Sequence, residues 1–570
     1  MPDTAGICAN LEEKMAEITR HIWFGPEALA TACGHGEETV SAIEAYQSGL
    51  KYSDRFGMIT GVISDKPLLD GYTELESLLI TQIKQVLTTS QLSLDTDSVQ
   101  LIISTTKGNV GLLEGNTENL PKDAFLYETG RKIGAYFNAA KSPIVISNAC
   151  ISGVSAAVVG RRMILSGECD HAIIAGCDLL NEFITSGFAS FKSISDQVCR
   201  PYDAERKGLN LGEACACYLL TSDKHKAQTP YIRLTGGSVT NDANHISGPS
   251  RTGDGLYYAI RNSMEEAGID ASEVGFVNTH GTATAYNDEM ESKAIALADL
   301  SDKPLNSMKS YIGHTLGASG VVETLICLHE LRSGVVFGTF GYKECGVPCP
   351  VNISDRHRTL ETLRCVKTAS GFGGCNAAIV MAADSYDDKE LLPQKVSDIE
   401  VTAQYSMPEG ELPFAEIVRQ EYRALEAQNL KFFKMSDLCK GAYVGAEYLI
   451  RQSNICSRYR PEEIGVILAN SSASLDTDLE HQKILEQHLP EGTSPAVFVY
   501  TLPSVAAGEI CIRHKIQGDN TFFISDDASV AENYAAMLIR KGYIKAAICG
   551  WCDKMLENYK VELKILEFKS

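Results

Sequence analysis

Positive charge is scarce in this sequence: 51 Lys and Arg stand against 73 Asp and Glu in 570 residues, a formal net charge of −22. That balance repels nucleic-acid phosphates and anionic lipid, so neither is expected as a partner. No run of about 18 consecutive apolar residues is present, so no membrane-spanning helix is expected. Glu12, Glu13 and Lys14 follow Met1-Pro2-Asp3-Thr4 where a secretory signal would be apolar, which points to the cytoplasm. Zinc-type spacing is also missing. The 18 cysteines are irregularly spaced, and the Cys-x-x-Cys of Cys549 and Cys552 has no partner pair at metal-binding separation. Cys215-Ala216-Cys217 alternates as reduced thiols do along a core strand. Neither a metal nor a cofactor is expected.

What the sequence does hold is ample core, 44% of residues being hydrophobic, and a length that suits two or more domains. β-type apolar runs such as Val99 to Ser104 alternate with stretches such as Thr73 to Leu87, where apolar positions recur at three and four. The alternation predicts an α/β protein with sheets buried between helices.

The most informative run is Ser147-Asn148-Ala149-Cys150-Ile151-Ser152-Gly153, which follows the apolar strand Ile144-Val145-Ile146. A strand-to-helix turn there sets the sulfur at the start of a helix over Val154 to Leu165, where free N–H groups and the helix dipole favour thiolate. A lone cysteine after a strand more often just packs. Three further segments tip the reading toward chemistry. Val277-Asn278-Thr279-His280-Gly281-Thr282-Ala283-Thr284 runs a strand into a histidine and a hydroxyl-bearing turn. Ser307-Met308-Lys309-Ser310-Tyr311-Ile312-Gly313-His314 places a lysine and a histidine around a turn before a helix. Ser370-Gly371-Phe372-Gly373-Gly374-Cys375-Asn376 is a glycine-rich bend whose amides can point inward. A thiol, two imidazoles, an ammonium and a nest of amides suit acyl transfer.

In that order, these motifs resemble the elongating β-ketoacyl-ACP synthases, condensing enzymes of the KAS I/II type in the thiolase superfamily, over roughly residues 20 to 385. Cys199-Arg200-Pro201-Tyr202-Asp203 and Asn241-Asp242-Ala243-Asn244-His245 are also similar to that family. The resemblance implies a five-layered α-β-α-β-α thiolase-like fold, with Cys150 holding the acyl group. His280 and His314 would steady the enolate left when malonyl loses carbon dioxide. The amides of Cys150 and Phe372 would form the oxyanion hole. Phe372 and Gly373 would act as gate, Thr282 and Thr284 as support, and Glu323 as partner to a Lys309 that organises charge and does not shuttle protons. Lys192 matches a family position that contacts acyl carrier protein. The run Thr368-Ala369-Ser370 replaces the family's usual asparagine-serine-phenylalanine, so a more open gate is expected. Thiolases, which need a late second cysteine, and initiating synthases, which pair one histidine with asparagine, fit less well.

Past residue 385 the character changes. Residues 386–398 are polar, charged and broken by Pro393, as a linker is, whereas 399–570 regain apolar strands at Ile464 to Leu468 and Thr521 to Ile524. Gly542 to Asp553 parallels Gly167 to Asp178 at equal length, and Ser525-Asp526-Asp527-Ala528-Ser529 stands where a nucleophile belongs. This region resembles the N-terminal half of a second synthase without its cysteine, a half-thiolase-like α/β domain, and no second HGT or GH motif follows it. Residues 1–19 read as an extension with no assigned role. Family members are dimers, so the resemblance implies either a homodimer or an intrachain pseudo-dimer, with the extra half serving as a chain-length factor or as packing. The expected activity is decarboxylative condensation of an acyl group with malonyl-ACP in fatty-acid, polyketide or polyene synthesis. The alternative is a non-catalytic chain-length-factor-like or scaffold subunit working with a separate synthase.

Overall fold

The structure, a computed structural model, describes residues 21–383, 398–410, 412–487 and 493–569. The extension 1–19 and all but the last residue of the linker 386–398 lie outside the described residues.

In chain order the first part builds β1 (Trp23–Thr31), α1 (Glu74–Ser90), β2 (Val99–Ser104), β3 (Ile144–Ile146), α2 (Ser152–Ser166), β4 (His171–Asp178) and α3 (Glu182–Ser190). Then come β5 (Ala214–Thr221), β6 (Ile232–Asn241), α4 (Asp254–Ala267), β7 (Phe276–Asn278), α5 (Ala285–Leu297), β8 (Leu305–Asn306), α6 (Ser319–Ser333), β9 (Arg364–Ser370) and β10 (Cys375–Ala383). The second part adds β11 (Ile399–Ser406), α7 (Asp437–Ser453), β12 (Ile464–Asn470), α8 (Val505–His514), β13 (Asn520–Ile524), α9 (Val530–Arg540), β14 (Ala546–Met555) and β15 (Asn558–Phe568).

The first part is a five-layer stack, as the resemblance implies. Its two sheets run β3-β2-β4-β5-β1 and β6-β10-β9-β7-β8, joined where Trp23 of β1 pairs with Arg233 of β6. Helices α2 and α6 lie between them, with α1 outside the first sheet and α4 outside the second. Local sequence explains the elements. Thr73 and Glu76 form a capping box that satisfies the free amides at the start of α1. β2 and β4 are buried along their whole length and read as continuous apolar runs, as strands covered on both faces do. The segment Ala149–Ser166 is apolar and long enough to cross a bilayer, yet it is enclosed between the two sheets. Small residues let α2 and α6 approach. A β-carbon on Gly153 would come within 2.6 Å of Val321 N, and one on Gly320 within 2.3 Å of Val154 N. That crossing fixes the start of α2 against the start of α6.

The second part forms a sheet of order β13-β12-β14-β15-β11, which repeats β3-β2-β4-β5-β1 strand for strand. α7 packs on β11 and β15 as α1 packs on β1 and β5, and α9 packs on β12 and β14 as α2 packs on β2 and β4. The two sheets are continuous, because β3 pairs antiparallel with β13 through Ile146↔Phe523 and Val145↔Ile524. Equivalent first pairs, Val99↔His171 and Ile464↔Ala546, set the register of the repeat. Ser104 pairs with Ile146, four residues before Cys150, and its counterpart Ala469 pairs with Phe523, four before Asp527. Asp527 therefore occupies the nucleophile position of the repeat. Its carboxylate accepts hydrogen bonds from the Ser529 amide (2.8 Å) and hydroxyl (2.9 Å) beside the start of α9.

Buried charge stitches the two parts together. Arg162 of α2 reaches Asp519 at 2.6 Å and the Tyr534 hydroxyl at 2.8 Å. Lys107 contacts both Asp478 oxygens at 2.6 Å. Ion pairs this buried are costly to halve, since the surviving charge has no solvent.

Candidate active site

Cys150 sits past the end of β3 in one 3-10 turn, Ala149–Ile151, directly ahead of α2, which begins at Ser152, two residues before the start read from sequence. Ala149 has φ 49°, a left-handed conformation that costs a residue with a β-carbon energy and must be held by its surroundings. Two clamps hold it. The Ser152 hydroxyl accepts from Asn148 N at 2.8 Å and donates to Ala149 O at 2.6 Å. The Asn148 amide donates to Asn520 O at 2.7 Å and accepts from Phe522 N at 3.1 Å, tying the turn to β13. The bend lies close by, for a β-carbon on Gly371 would be 3.1 Å from Cys150 N.

His280 follows β7, and the amides of His280 and Gly281 both donate to the Glu291 carboxylate, at 2.9 and 2.6 Å. His314 follows a short helix, Lys309–Ile312, and Gly313 turns the chain with φ 79° where a β-carbon would meet Leu211 O at 2.8 Å. These elements bring Cys150, His280 and His314 together. Cys150 Sγ lies 3.1 Å from His314 Nε2, and the two rings meet edge to face with centroids 5.0 Å apart.

Lys309 Nζ is 3.4 Å from His280 Nδ1 and 2.6 Å from one Glu323 oxygen, and Lys367 Nζ lies 2.6 Å from the other oxygen. An ammonium only donates, so His280 Nδ1 accepts and Nε2 carries the proton. His314 Nδ1 meets the Ser319 hydroxyl at 3.2 Å, a group able to donate or accept. Burial, with the positive charge of Lys309 adding to it, holds both imidazoles well below the ordinary histidine range. Burial also pushes the Cys150 thiol up to about 12, with Lys309 offsetting part of the rise. The thiolate expected from the helix dipole is thus overruled at rest by loss of water around the sulfur. The three donor atoms lie within 4.8 Å of one another, a soft set of the kind that takes zinc. The Lys309 ammonium beside His280 opposes a dication there.

A cavity of about 360 Å³ opens onto the thiol and both rings, and Thr282, Thr284 and Phe372 are part of its lining. The two threonine hydroxyls are 2.9 Å apart. Phe372 is stacked against Phe188 and Phe191, with centroids 6.0 and 5.2 Å away, so the expected looser gate is not what the packing shows. Gly373 adopts φ 87°, and Gly508 of α8 comes so close that a β-carbon there would meet Gly373 O at 2.6 Å. Lys192 is exposed, between Phe191 and Ser193 of the cavity lining.

Sequence reasoning missed Glu291, Lys367, Asn148 and Ser319. Glu291 carried a signal, since Asp288, Glu291 and Ile295 fall at i, i+3 and i+7 on the buried side of α5. Lys367 and Asn148 become legible only once distant segments meet, whereas Ser319 stands only five residues past His314.

Residues 132–226 and 414–563 match the family description "Beta-ketoacyl synthase, N-terminal domain", and residues 231–343 match "Beta-ketoacyl synthase, C-terminal domain". The 3-oxoacyl-[acyl-carrier-protein] synthase 2 of Mycobacterium leprae is 31% identical over 260 residues, 43% of this chain and 62% of that protein. The chain thus spans about three fifths of this curated relative's length. Among solved structures, "PfaC Keto synthase-Chain length factor" superposes with a TM-score of 0.79 at 13% identity, covering 96% of this chain and 78% of that one. "Ketosynthase (ApeO) in Complex with its Chain Length Factor (ApeC) from Xenorhabdus doucetiae" aligns with 64% of this chain and 98% of that one, with a TM-score of 0.57 and 24% identity. At these identities the two structures speak for the fold.

Proposed function

The chain belongs to the beta-ketoacyl synthase family, and on that premise we propose that it condenses an acyl group held on Cys150 with malonyl carried on acyl carrier protein. The observation that carries this reading is the 3.1 Å contact between Cys150 Sγ and His314 Nε2, beside His280 and inside an open cavity. In the first half-reaction the Cys150 sulfur attacks the acyl thioester carbon. Its proton passes by way of His314 to the departing pantetheine sulfur, so no thiolate need persist beforehand. In the second, the malonyl C–C bond breaks and carbon dioxide leaves. The electron pair is held as an enolate by the His280 Nε2–H and by His314, and neutral imidazoles are the forms that donate without trapping the charge. The carbanion carbon then attacks the acyl carbon on Cys150, forming the new C–C bond as the carbon–sulfur bond breaks, and the departing sulfur takes up one proton from solvent by way of His314, which restores the thiol.

Lys309, Lys367 and Glu323 orient His280, and they neither donate nor accept a proton in this scheme. Thr282 and Thr284 border the arm of the incoming thioester. Lys192, at the cavity mouth, meets the acidic carrier. Residues 20–385 do the chemistry. Residues 399–570 carry Asp527 at the nucleophile position and serve as a built-in partner half, which makes the chain an intrachain pseudo-dimer acting in the cytoplasm.

The test uses the full chain with acyl- and malonyl-loaded carrier protein, following carbon dioxide release and product mass. Wild type should yield 3-oxoacyl product, Cys150→Ala none, and cerulenin should label Cys150. Product formed undiminished by Cys150→Ala defeats the reading. Product that appears only when a separate synthase is added favours the scaffold alternative.

A further inference from the structure

Two ammonium groups lie beneath one histidine, where one would suffice to fix its tautomer. Lys309 faces His280 directly, whereas Lys367 stands on β9, in register with Asn278 of β7, the strand that ends two residues before His280. Both lysines are wholly buried. An unpaired charge at that depth is costly, so each ammonium needs a counter-charge and acceptors. Lys367 Nζ lies 2.6 Å from one Glu323 oxygen and donates to Thr368 O at 2.5 Å. The other Glu323 oxygen takes Lys309. Glu291, also buried, is a second carboxylate that feels both ammonium charges. With both imidazoles neutral, two cations balance two anions.

The division of Glu323 between two partners is the informative feature. A carboxylate left with one bare buried oxygen would draw a single ammonium across both of its oxygens. Lys309 would then leave His280 Nδ1, from which it already stands 3.4 Å away, longer than an ordinary hydrogen bond. Lys367 prevents this by occupying the second oxygen. Lys309 keeps a proton aimed at Nδ1, and the ring keeps its own proton on Nε2. Only one half-reaction needs that ring proton. Acyl loading passes by way of His314, 3.1 Å from Cys150 Sγ, whereas the enolate formed from malonyl is held by the His280 Nε2–H.

We infer that Lys367 is a positioning residue for the decarboxylating half-reaction alone, acting through Glu323 and Lys309 on the tautomer of His280. The inference rests on the condensing-enzyme reading. In the step concerned the malonyl C–C bond breaks, its electron pair becomes the enolate and carbon dioxide leaves. No proton moves on or off Lys367.

The experiment uses the full chain and takes two readings on each preparation. Intact mass follows acetylation of Cys150 by acetyl-pantetheine, and carbon dioxide release then follows the acetylated protein given malonyl-pantetheine. Lys367→Met should acetylate within about twofold of wild type, which also reports that it is folded. Its kcat for carbon dioxide release should fall at least about tenfold, the size of one lost charge-assisted contact, with KM for malonyl-pantetheine within about twofold. In a Glu323→Gln background the same substitution should cost less than about twofold more, because its route is already cut. A parallel fall in both readings overturns the inference, as does an unchanged rate of carbon dioxide release. A further loss of about tenfold in the Glu323→Gln background overturns the route through Glu323. If Lys367→Met does not fold, Lys367→Gln repeats the comparison without the charge, and failure of both variants to acetylate makes Lys367 a folding residue and overturns the inference too. Wild type that acetylates but releases no carbon dioxide, or does neither, defeats the condensing reading and the inference with it.

Discussion

Two opposed effects act on the Cys150 sulfur, and its alkylation rate measures which prevails. The start of α2 favours the anion, whereas burial pushes the thiol from its ordinary 9.0 up to about 12. At pH 8 a thiol at 9 is roughly one-tenth ionised and one at 12 is about a ten-thousandth ionised, a ratio on the order of 1,000. The more basic thiolate is the better nucleophile, and a Brønsted slope of 0.4–0.5 over three units recovers roughly 20- to 30-fold. Cys150 should therefore react with iodoacetamide about 40-fold more slowly than an ordinary exposed cysteine, before any steric hindrance. Sterics scale the rate without changing its pH dependence, so the decisive measurement is a profile from pH 6 to 10 by peptide-resolved mass spectrometry. The logarithm of the rate should rise by one per pH unit throughout. A plateau beginning below pH 9, or a constant rate under pH 8, would show a preformed thiolate–imidazolium pair and refute the argument from burial.

Two further outcomes follow from the geometry. Glu291→Gln keeps the shape but weakens the two charge-assisted bonds that hold the His280 and Gly281 amides. Condensation kcat should fall at least about tenfold with KM for malonyl-carrier little changed, and a fall confined to KM would count against a positioning role. Arg162→Met leaves Asp519 buried without its partner, so the urea midpoint should drop by an amount equivalent to about 3–5 kcal/mol. Adding Asp519→Leu should restore much of the loss. If the double variant is no more stable than the single one, the pair is not what joins the two parts there.

Much of the site could be read from local patterning. Cys150, His280, His314 and the glycine bend each end or begin an element, and chain geometry at such junctions is set by neighbours in sequence. The repeat was equally legible, because Gly542 to Asp553 keeps the spacing of Gly167 to Asp178. The ionisation state of the thiol was not legible, since burial depends on residues that arrive from distant segments. The stacking of Phe372 on Phe188 and Phe191 escaped for the same reason: the rings come from the end of α3 and from the glycine-rich bend, more than 180 positions apart. Asn148 and Lys107 look like ordinary polar loop residues until β13 and Asp478 come to meet them.

The pairing of β3 with β13 bears on how the molecule behaves as it is diluted. When two separate chains meet along such a seam, the fraction assembled falls with concentration, and the sites they shape are lost together. Here both strands belong to one polypeptide, so the local concentration of the second half is set by the tether and does not change in the test tube. Specific activity should then hold constant from micromolar to nanomolar protein. Each chain would own a single working thiol, because selection need preserve only one of its two elbows.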